Sequence, residues 1–174
     1  MHGFEEKIRT VMDFPKPGIG FKDITTLLKD ASAFKDSIEA MAAKFDPEKI
    51  DKILGIESRG FIFASVLAYK WNKGLIVARK PGKLPAEKIS EEYELEYGVD
   101  RIEIHRDAIS PGERILILDD LLATGGTVEA TIKLVEQLKG EIAGIGFLIE
   151  LTFLNGRKRF ENFNICSLIE YDSE

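Results

Sequence analysis

The sequence has few of the residues from which many metal and redox sites are built. Of its 174 residues, one is a cysteine, Cys166, and two are histidines, His2 and His105. A single cysteine excludes an intramolecular disulfide and a cysteine-rich zinc site. The two histidines are too few and too far apart to form a metal site by themselves. We therefore expect Cys166 to be a small buried side chain in an apolar strand.

Long apolar runs and an excess of positive charge are also missing. No apolar run reaches the roughly 18 residues that a membrane-spanning helix needs, and residues 1–7 lack the layout of a signal peptide. The net charge of −6 argues against a general binder of nucleic acid or anionic membranes, since such proteins carry a basic face. We expect a cytoplasmic protein that binds neither nucleic acid nor a membrane.

Glycine and proline, by contrast, are frequent. The 15 glycines and 6 prolines interrupt the chain too often for a coiled coil, and a hydrophobic content of 44% is too high for a disordered chain. No internal repeat is present. A chain of 174 residues fits one domain of about 100–200 residues, so we predict a single domain over residues 1–174.

Short apolar segments alternate with segments of helical periodicity. This order predicts a parallel sheet covered by helices on both faces. Residues 93–97 and 101–105 alternate with a period of two around Gly98, which predicts a hairpin inserted in that scaffold. Strands are predicted at 52–56, 74–78, 114–118, 142–151 and 165–169, and helices at 4–12, 30–45, 60–71 and 126–139, with an apolar loop at 14–21.

The most informative segment is Ile115-Leu116-Ile117-Leu118-Asp119-Asp120-Leu121-Leu122-Ala123-Thr124-Gly125-Gly126-Thr127. A strand is followed by two carboxylates, a loop of small residues and the start of a helix, where backbone N–H groups and the helix dipole favour a phosphate. The acid pair would repel that phosphate unless it faces hydroxyl groups or a metal, so a sugar phosphate with a free diol fits both parts. Ordinary turn chemistry is the alternative explanation.

This segment resembles the phosphoribosyl-diphosphate signature of the type I phosphoribosyltransferases. Further segments resemble, in the same order, the adenine-specific members of that family: residues 14–25 their hood, 55–61 their diphosphate loop, and 79–85 with 93–98 their flap. The resemblance implies an α/β fold with a central, mainly parallel sheet flanked by helices, an N-terminal hood (about 1–28) and a hairpin flap (about 79–105). It also implies a homodimer, and Phe61, Phe63 and Trp71 are consistent with an apolar interface.

The resemblance further implies a reaction, in which adenine and phosphoribosyl diphosphate give AMP and diphosphate in purine salvage. Magnesium is the implied cofactor, held mainly by the substrate rather than by a cage of protein ligands. Breaking the bond at the ribose builds positive charge on the sugar and negative charge on the leaving diphosphate, which carboxylates and cations respectively stabilise. The implied residues are Glu96, Asp119 and Asp120 for catalysis; Asp119, Asp120, Ala123, Thr124, Gly125, Gly126 and Thr127 for the 5-phosphate and ribose; Ser58, Arg59, Arg79, Lys80 and Lys83 for the diphosphate; and Ile19, Gly20, Phe21 and Lys22 for adenine.

Three positions depart from the family pattern. Gly20 replaces a larger apolar residue, Lys22 an arginine, and Glu57 an aspartate. Two other functions remain open: a transferase for hypoxanthine, guanine or xanthine, and a regulator that senses phosphoribosyl diphosphate without turnover. The match over residues 14–25 disfavours the first, and the lack of room for a DNA-binding domain before the hood disfavours the second. The basic run 155–159 is expected to be a solvated loop.

Overall fold

The computed structural model describes residues 3–94 and 98–173. Its centre is a five-stranded parallel sheet with the strand order β4-β3-β7-β8-β9. The strands are β1 (Arg9–Val11), β2 (Phe21–Asp23), β3 (Lys52–Ile56), β4 (Gly74–Ala78), β5 (Lys88–Glu94), β6 (Val99–His105), β7 (Arg114–Leu122), β8 (Glu141–Leu151) and β9 (Ile165–Tyr171). The helices are α1 (Thr25–Leu28), α2 (Ala31–Ala42), α3 (Gly60–Trp71) and α4 (Gly126–Gln137).

Strand β7 shows why the central strands are continuously apolar. Ile115 and Ile117 lie in a core cluster with residues of α4, whereas Leu116 and Leu118 lie in a second cluster with residues of α3 on the other face. All four side chains are fully buried. Because neighbouring residues of a strand point to opposite faces, a strand covered on both faces must be apolar at every position. The predicted parallel sheet is confirmed.

Two predicted helices agree closely with the structure. Helix α3 has the predicted bounds and ends at Asn72, whose φ of 54° is left-handed and stops the helix. Helix α2 begins at the predicted cap, where the Asp30 side chain accepts a hydrogen bond from Ala33 N at 3.1 Å. It ends at Ala42, three residues before the predicted end.

The helix predicted at residues 4–12 is wrong. Residues Glu5–Lys7 form one 3₁₀ turn, and Arg9–Val11 is strand β1, which pairs antiparallel with β2. Phe4 and Ile8 do pack into the core, as the spacing suggested. The i, i+4 spacing correctly indicates that both side chains are covered. The backbone conformation, however, is determined by pairing with strand 21–23, which the loop of residues 12–20 brings alongside.

The prediction that strand 114–118 ends before the acid pair is also wrong. Strand β7 continues to Leu122, because β8 supplies hydrogen-bonding partners beyond Leu118, including Phe147 opposite Asp119. The two carboxylates therefore stand on a strand that is fixed on one side by β8, rather than on a free loop.

The hairpin is confirmed, with its first strand longer than predicted. Strands β5 and β6 pair antiparallel from Lys88 with His105 to Glu94 with Val99. Tyr93, Ile102 and Ile104 are buried in the core cluster that includes α4. Strand β5 is rich in charged residues, yet its alternate side chains turn inward and Tyr93 is buried.

Among the described residues, none of the helices has the length and apolar character needed to span a bilayer.

Candidate functional site

The predicted site residues come together where the parallel strands end. Strand β3 leads into Glu57, Ser58 and Arg59, and β4 leads into Arg79 and Lys80, while β7 leads into the loop 123–127. Ligands bind in such sheets outside the carboxyl ends of the strands. The topology thus places the segments for three parts of one substrate along a single edge.

The acid pair is held in an environment that disfavours charge. Asp120 is 4% exposed, and Asp119 turns its Oδ1 back to accept from Asp120 N at 2.9 Å. Burial and the neighbouring Asp120 carboxylate raise the pKa of Asp119 well above its ordinary value. Burial also raises the pKa of Asp120, although Arg59 opposes that shift. The pair therefore holds protons more tightly than exposed aspartates do.

Arg59 links this pair to the N-terminal segment. Its Nε lies 3.0 Å from Asp120 Oδ2, and its guanidinium lies over the Phe21 ring at 4.9 Å from the centroid. The ion pair is close, but the N–H does not point at Oδ2, so that buried oxygen receives no hydrogen bond from the described residues. Arg59 also donates to the Lys22 carbonyl at 3.4 Å. The side chain proposed for the diphosphate thus rests beside the acids and the base segment in this structure.

The loop of small residues is shaped for close backbone approach. Gly125 has a φ of +85° and precedes helix α4, whose first turn includes Thr127 and carries the positive end of the helix dipole. Thr124 is exposed, and Gly126 lies against the hairpin, where a Cβ would come within 3.2 Å of the Glu94 carbonyl oxygen. The loop therefore leaves its N–H groups and a threonine hydroxyl available to an anion.

Sequence reasoning missed a brace behind this loop. A Cβ on Gly156 would overlap the Ala123 carbonyl oxygen, and one on Gly125 would come within 2.9 Å of the Phe160 ring. Gly156 and Phe160 are buried, so the expectation of a solvated loop over 155–159 is wrong at Gly156. No local sequence signal marks this contact, because it requires the chain after β8 to fold back over the loop 123–127.

The brace is itself anchored by a buried ion pair. Glu150 is 3% exposed and binds the Arg157 guanidinium, with Nε at 3.0 Å from both carboxylate oxygens, and accepts from Ser167 Oγ at 2.6 Å. Although burial alone would raise it, hydrogen bonds from Arg157 and Ser167 lower the pKa of Glu150. Arg157 is thus a structural cation and is not available to a ligand.

The cations predicted for the diphosphate separate into two groups. Arg79 and Lys83 converge on the carboxylate of Glu57, with Arg79 Nε 3.4 Å from Oε2. The Lys80 side chain points elsewhere and binds the Tyr93 hydroxyl and the Asp100 carboxylate of the hairpin. Ser58 is exposed, and the Glu57–Ser58 peptide bond is cis.

The side chains of the predicted adenine segment, residues 19–22, point in different directions. Ile19 is 39% exposed, Gly20 is buried, and the Phe21 ring meets the Phe14 ring edge-on at 5.1 Å. The Lys22 side chain turns the other way, with Nζ 3.2 Å from Thr10 Oγ1 and over the Tyr171 ring at 4.2 Å. Lys22 can thus serve a base through its backbone while its side chain fixes the segment to β9. Glu96, the predicted proton-transfer residue, lies outside the described residues.

Comparison with known proteins finds one family whose members are similar to this chain over almost its full length. The phosphoribosyl transferase domain family matches residues 25–168. The adenine phosphoribosyltransferase of Symbiobacterium thermophilum is 56% identical over 168 residues, which cover 97% of this chain and 99% of that protein.

Solved structures agree with these matches. The crystal structure of adenine phosphoribosyltransferase from Thermoanaerobacter pseudethanolicus is 54% identical, with a TM-score of 0.94 over 97% of this chain and 98% of that one. The enzyme from Saccharomyces cerevisiae, solved with an iminoaltritol bisphosphate and adenine, is 37% identical, with a TM-score of 0.90 over 95% of this chain and 96% of that one.

Proposed function

Because the chain belongs to the adenine phosphoribosyltransferases, within the phosphoribosyltransferase family, we propose that it transfers the 5-phosphoribosyl group of phosphoribosyl diphosphate to adenine, giving AMP and diphosphate in purine salvage. The observation that carries this proposal is the acid pair on β7 with the phosphate loop directly after it. A ribose 5-phosphate needs both parts, separated by the length of the sugar.

At the ribose, Asp119 and Asp120 act on the charge that develops when the bond to diphosphate breaks. The sugar then becomes positive, and carboxylates fixed on a paired strand stabilise that state without reorganising. They bind the ribose hydroxyls, while the N–H groups and hydroxyls of Ala123, Thr124, Gly125, Gly126 and Thr127 hold the 5-phosphate.

At the leaving group, cations take up the developing negative charge. Ser58 and Arg59 follow β3, and Arg79, Lys80 and Lys83 follow β4, so both segments approach the diphosphate from neighbouring strands. Arg79 and Lys83 already lie together, because both contact the Glu57 carboxylate.

The residues present fit the magnesium ion that this reaction implies. The buried Asp120 Oδ2 receives no hydrogen bond from the described residues, and oxygen atoms are the ligands magnesium prefers. Arg59 Nε lies 3.0 Å from this oxygen, so the Arg59 side chain would turn to the diphosphate when the ion binds. Over residues 3–94 and 98–173 no group of three or more histidine, cysteine, aspartate or glutamate side chains could hold an ion. Asp119 and Asp120 would hold it together with substrate oxygens, and the ion would neutralise charge on the diphosphate.

Adenine is placed against the N-terminal segment. In this proposal Ile19, Gly20, Phe21 and Lys22 line the base. The Ile19 N–H donates to the Lys16 carbonyl, so the backbone of Gly20 and Lys22 supplies the hydrogen bonds to the base, and the Phe21 ring offers a face for stacking. Adenine is bound in the related yeast structure, which is 37% identical. We propose that Glu96 exchanges a proton with the purine when the flap closes, because a carboxyl group buried beside a base acquires a raised pKa.

We further propose a single domain with a hood at about 1–28 and a flap at about 79–105, assembled as a cytoplasmic homodimer. Helix α3 supports the dimer, because its stripe of Ile62, Val66 and Tyr69 is apolar: Ile62 and Val66 are half-buried against the core, and Tyr69 is 90% exposed. Phe63 is 1% exposed inside the subunit, so it belongs to the core rather than to this surface.

One assay tests the function. Purified protein is incubated with phosphoribosyl diphosphate, magnesium and one purine base, and nucleotide formation is followed. We expect AMP to form from adenine, and the rates of nucleotide formation from hypoxanthine, guanine and xanthine to be far lower. A faster reaction with a 6-oxopurine would show that this base, and not adenine, is the preferred substrate. Binding of phosphoribosyl diphosphate without any product would indicate a sensor instead of an enzyme.

A further inference from the structure

Glu57 holds together the segment that follows β4. It comes directly after β3, and its side chain is 9% exposed. Lys83 Nζ binds Oε1, Arg79 Nε lies 3.4 Å from Oε2, and the backbone N–H of Lys80 donates to Oε2 at 2.8 Å. One carboxylate therefore fixes three positions of a five-residue stretch.

This carboxylate is charged at neutral pH. Burial on its own would raise the pKa of Glu57, but the hydrogen bonds from Lys83 and from the Lys80 N–H, with the charge of Arg79, lower it overall. Two cations and one N–H thus already have an anionic partner before any substrate arrives.

The same cations, Arg79 and Lys83, are the ones assigned to the diphosphate. A diphosphate that binds them must draw them at least partly from Glu57, or approach while that negative charge stays close. In both cases the Glu57 charge opposes diphosphate binding, while the contacts of Glu57 keep the cations near their place of use.

We propose that Glu57 is a positioning residue that stores Arg79 and Lys83 in the empty site, yields them to the diphosphate group, and takes them back as diphosphate leaves. The inference rests on the proposed function. No covalent bond changes in this exchange, in which ion pairs replace one another. Its consequence is that Glu57 weakens diphosphate binding and speeds release of that product.

The decisive variant is Glu57→Gln, which keeps the size and the acceptor for the Lys80 N–H but removes the competing charge. Titration with magnesium diphosphate in a calorimeter is expected to give a dissociation constant lower by about fivefold, the size of one partly screened ion pair. In turnover, KM for phosphoribosyl diphosphate and kcat both decrease, since the product leaves more slowly.

Two control variants separate this effect from others. Glu57→Asp keeps the charge and withdraws it by about 1.5 Å, so diphosphate binding does not tighten. Glu87→Gln removes a negative charge from an exposed position of the same segment, paired only loosely with Arg106 at 3.8 Å, and leaves the dissociation constant unchanged. A purely structural role of Glu57 predicts weaker binding in both Glu57 variants.

Unchanged or weaker diphosphate binding by folded Glu57→Gln overturns the inference. Failure of the proposed function would be seen separately, as wild-type protein that forms no AMP, and the diphosphate titration would still be decided by the same comparison. If Glu57→Gln does not fold, a crystal structure of the wild-type protein with magnesium diphosphate decides. Arg79 and Lys83 are then expected on the diphosphate, and finding both still on Glu57 overturns the exchange.

Discussion

At the scale of single residues, the acid pair carries the clearest consequence for catalysis. Asp119→Asn and Asp120→Asn each remove a charge that stabilises the developing ribose cation. We expect kcat to fall by about a hundredfold or more, as when one preorganised electrostatic group is lost, with little change in the dissociation constant of adenine. Steady-state kinetics and equilibrium binding measure the two quantities, and wild-type turnover in both variants would contradict the assignment.

The same pair makes stability depend on pH. The folded protein holds the Asp119 proton above the pH at which the unfolded chain loses it, so the folded state binds more protons in that interval. Stability is therefore lost as the pH rises from the ordinary value of about 3.8 through the raised pKa. We expect Asp119→Asn to be more stable than the wild type at pH 7, and this gain to shrink toward pH 4.

A control of opposite sign is available at Asp51. Two hydrogen bonds from the Arg114 side chain and one from its backbone N–H lower the pKa of Asp51, so its contribution is present at neutral pH and is lost in acid. Asp51→Asn is expected to cost stability at pH 7 and much less at low pH. Denaturant unfolding at several pH values measures both variants, and the same pH trend for the two would refute the explanation.

The brace behind the phosphate loop gives a prediction at Gly156. In Gly156→Ala the new methyl group would overlap the Ala123 carbonyl oxygen, so the loop must move. We expect KM for phosphoribosyl diphosphate to rise about tenfold, equivalent to roughly 1.4 kcal/mol of lost binding. Gly3→Ala is the control, because its methyl group would meet nothing within 4 Å. An unchanged KM in folded Gly156→Ala would mean that the brace does not set the loop.

At this scale, side-chain direction is what the sequence could not predict. The motif marks Arg59 as functional, but its contacts with Asp120 and Phe21 depend on how the N-terminal segment folds over the sheet. Gly156 carries no local signal, since its neighbour Ala123 is 33 positions earlier in the chain. The position of Asp119 and Asp120 beside the small-residue loop, by contrast, could be predicted, because the acids and the loop are adjacent in sequence.

At the scale of elements, the hairpin is the part proposed to move. Its β5 strand packs on α4 through Tyr93, so motion is expected to centre on residues 79–87 rather than on the paired strands. We expect hydrogen exchange over 79–97 to slow when phosphoribosyl diphosphate and magnesium are added, because bound diphosphate gives the basic side chains a partner. Helix α2, on the other face of the sheet, is the internal reference. Equal exchange over 79–97 with and without substrate would contradict the proposal that this segment is a closing flap.

The proton-transfer residue is tested on the same element. Glu96→Gln is expected to lower kcat strongly while the dissociation constant of phosphoribosyl diphosphate stays close to that of the wild type. Glu92→Gln is the control, because Glu92 is an exposed residue of β5 that pairs with Arg101 across the hairpin. Equal turnover of the two variants would make Glu96 an ordinary surface charge.

Elements with a strong periodic pattern and a clear stop were predictable. Helix α3 was correct at both ends, because an apolar segment begins at Gly60 and Asn72 is free to adopt a left-handed backbone. Residues 4–12 were mistaken for a helix, since three apolar residues spaced by three and four also fit a turn followed by a short strand. The backbone partner that decides between them lies 10 to 14 residues away.

At the scale of the whole molecule, the apolar stripe of α3 predicts association. Tyr69→Glu places a charge on the exposed residue of this stripe, and we expect it to shift the protein from dimer to monomer at micromolar concentration, as measured by light scattering. Glu136→Lys, on an exposed position of α4 across the sheet, is the control and is expected to remain dimeric. A wild-type monomer under the same conditions would contradict the proposal.

The packing of the N-terminal segment against β9 has a consequence for how the protein folds during synthesis. Phe4, Ile8 and Ile24 pack in one cluster with Leu168 and Tyr171, and Lys22 lies over the Tyr171 ring. Translation therefore makes the segment that we propose binds the base well before strand β9, which holds this segment in place. A nascent chain stalled before residue 165 would carry the loop 123–127 but lack the strand that supports the N-terminal segment, so we expect the proposed adenine site to form only after β9 is made.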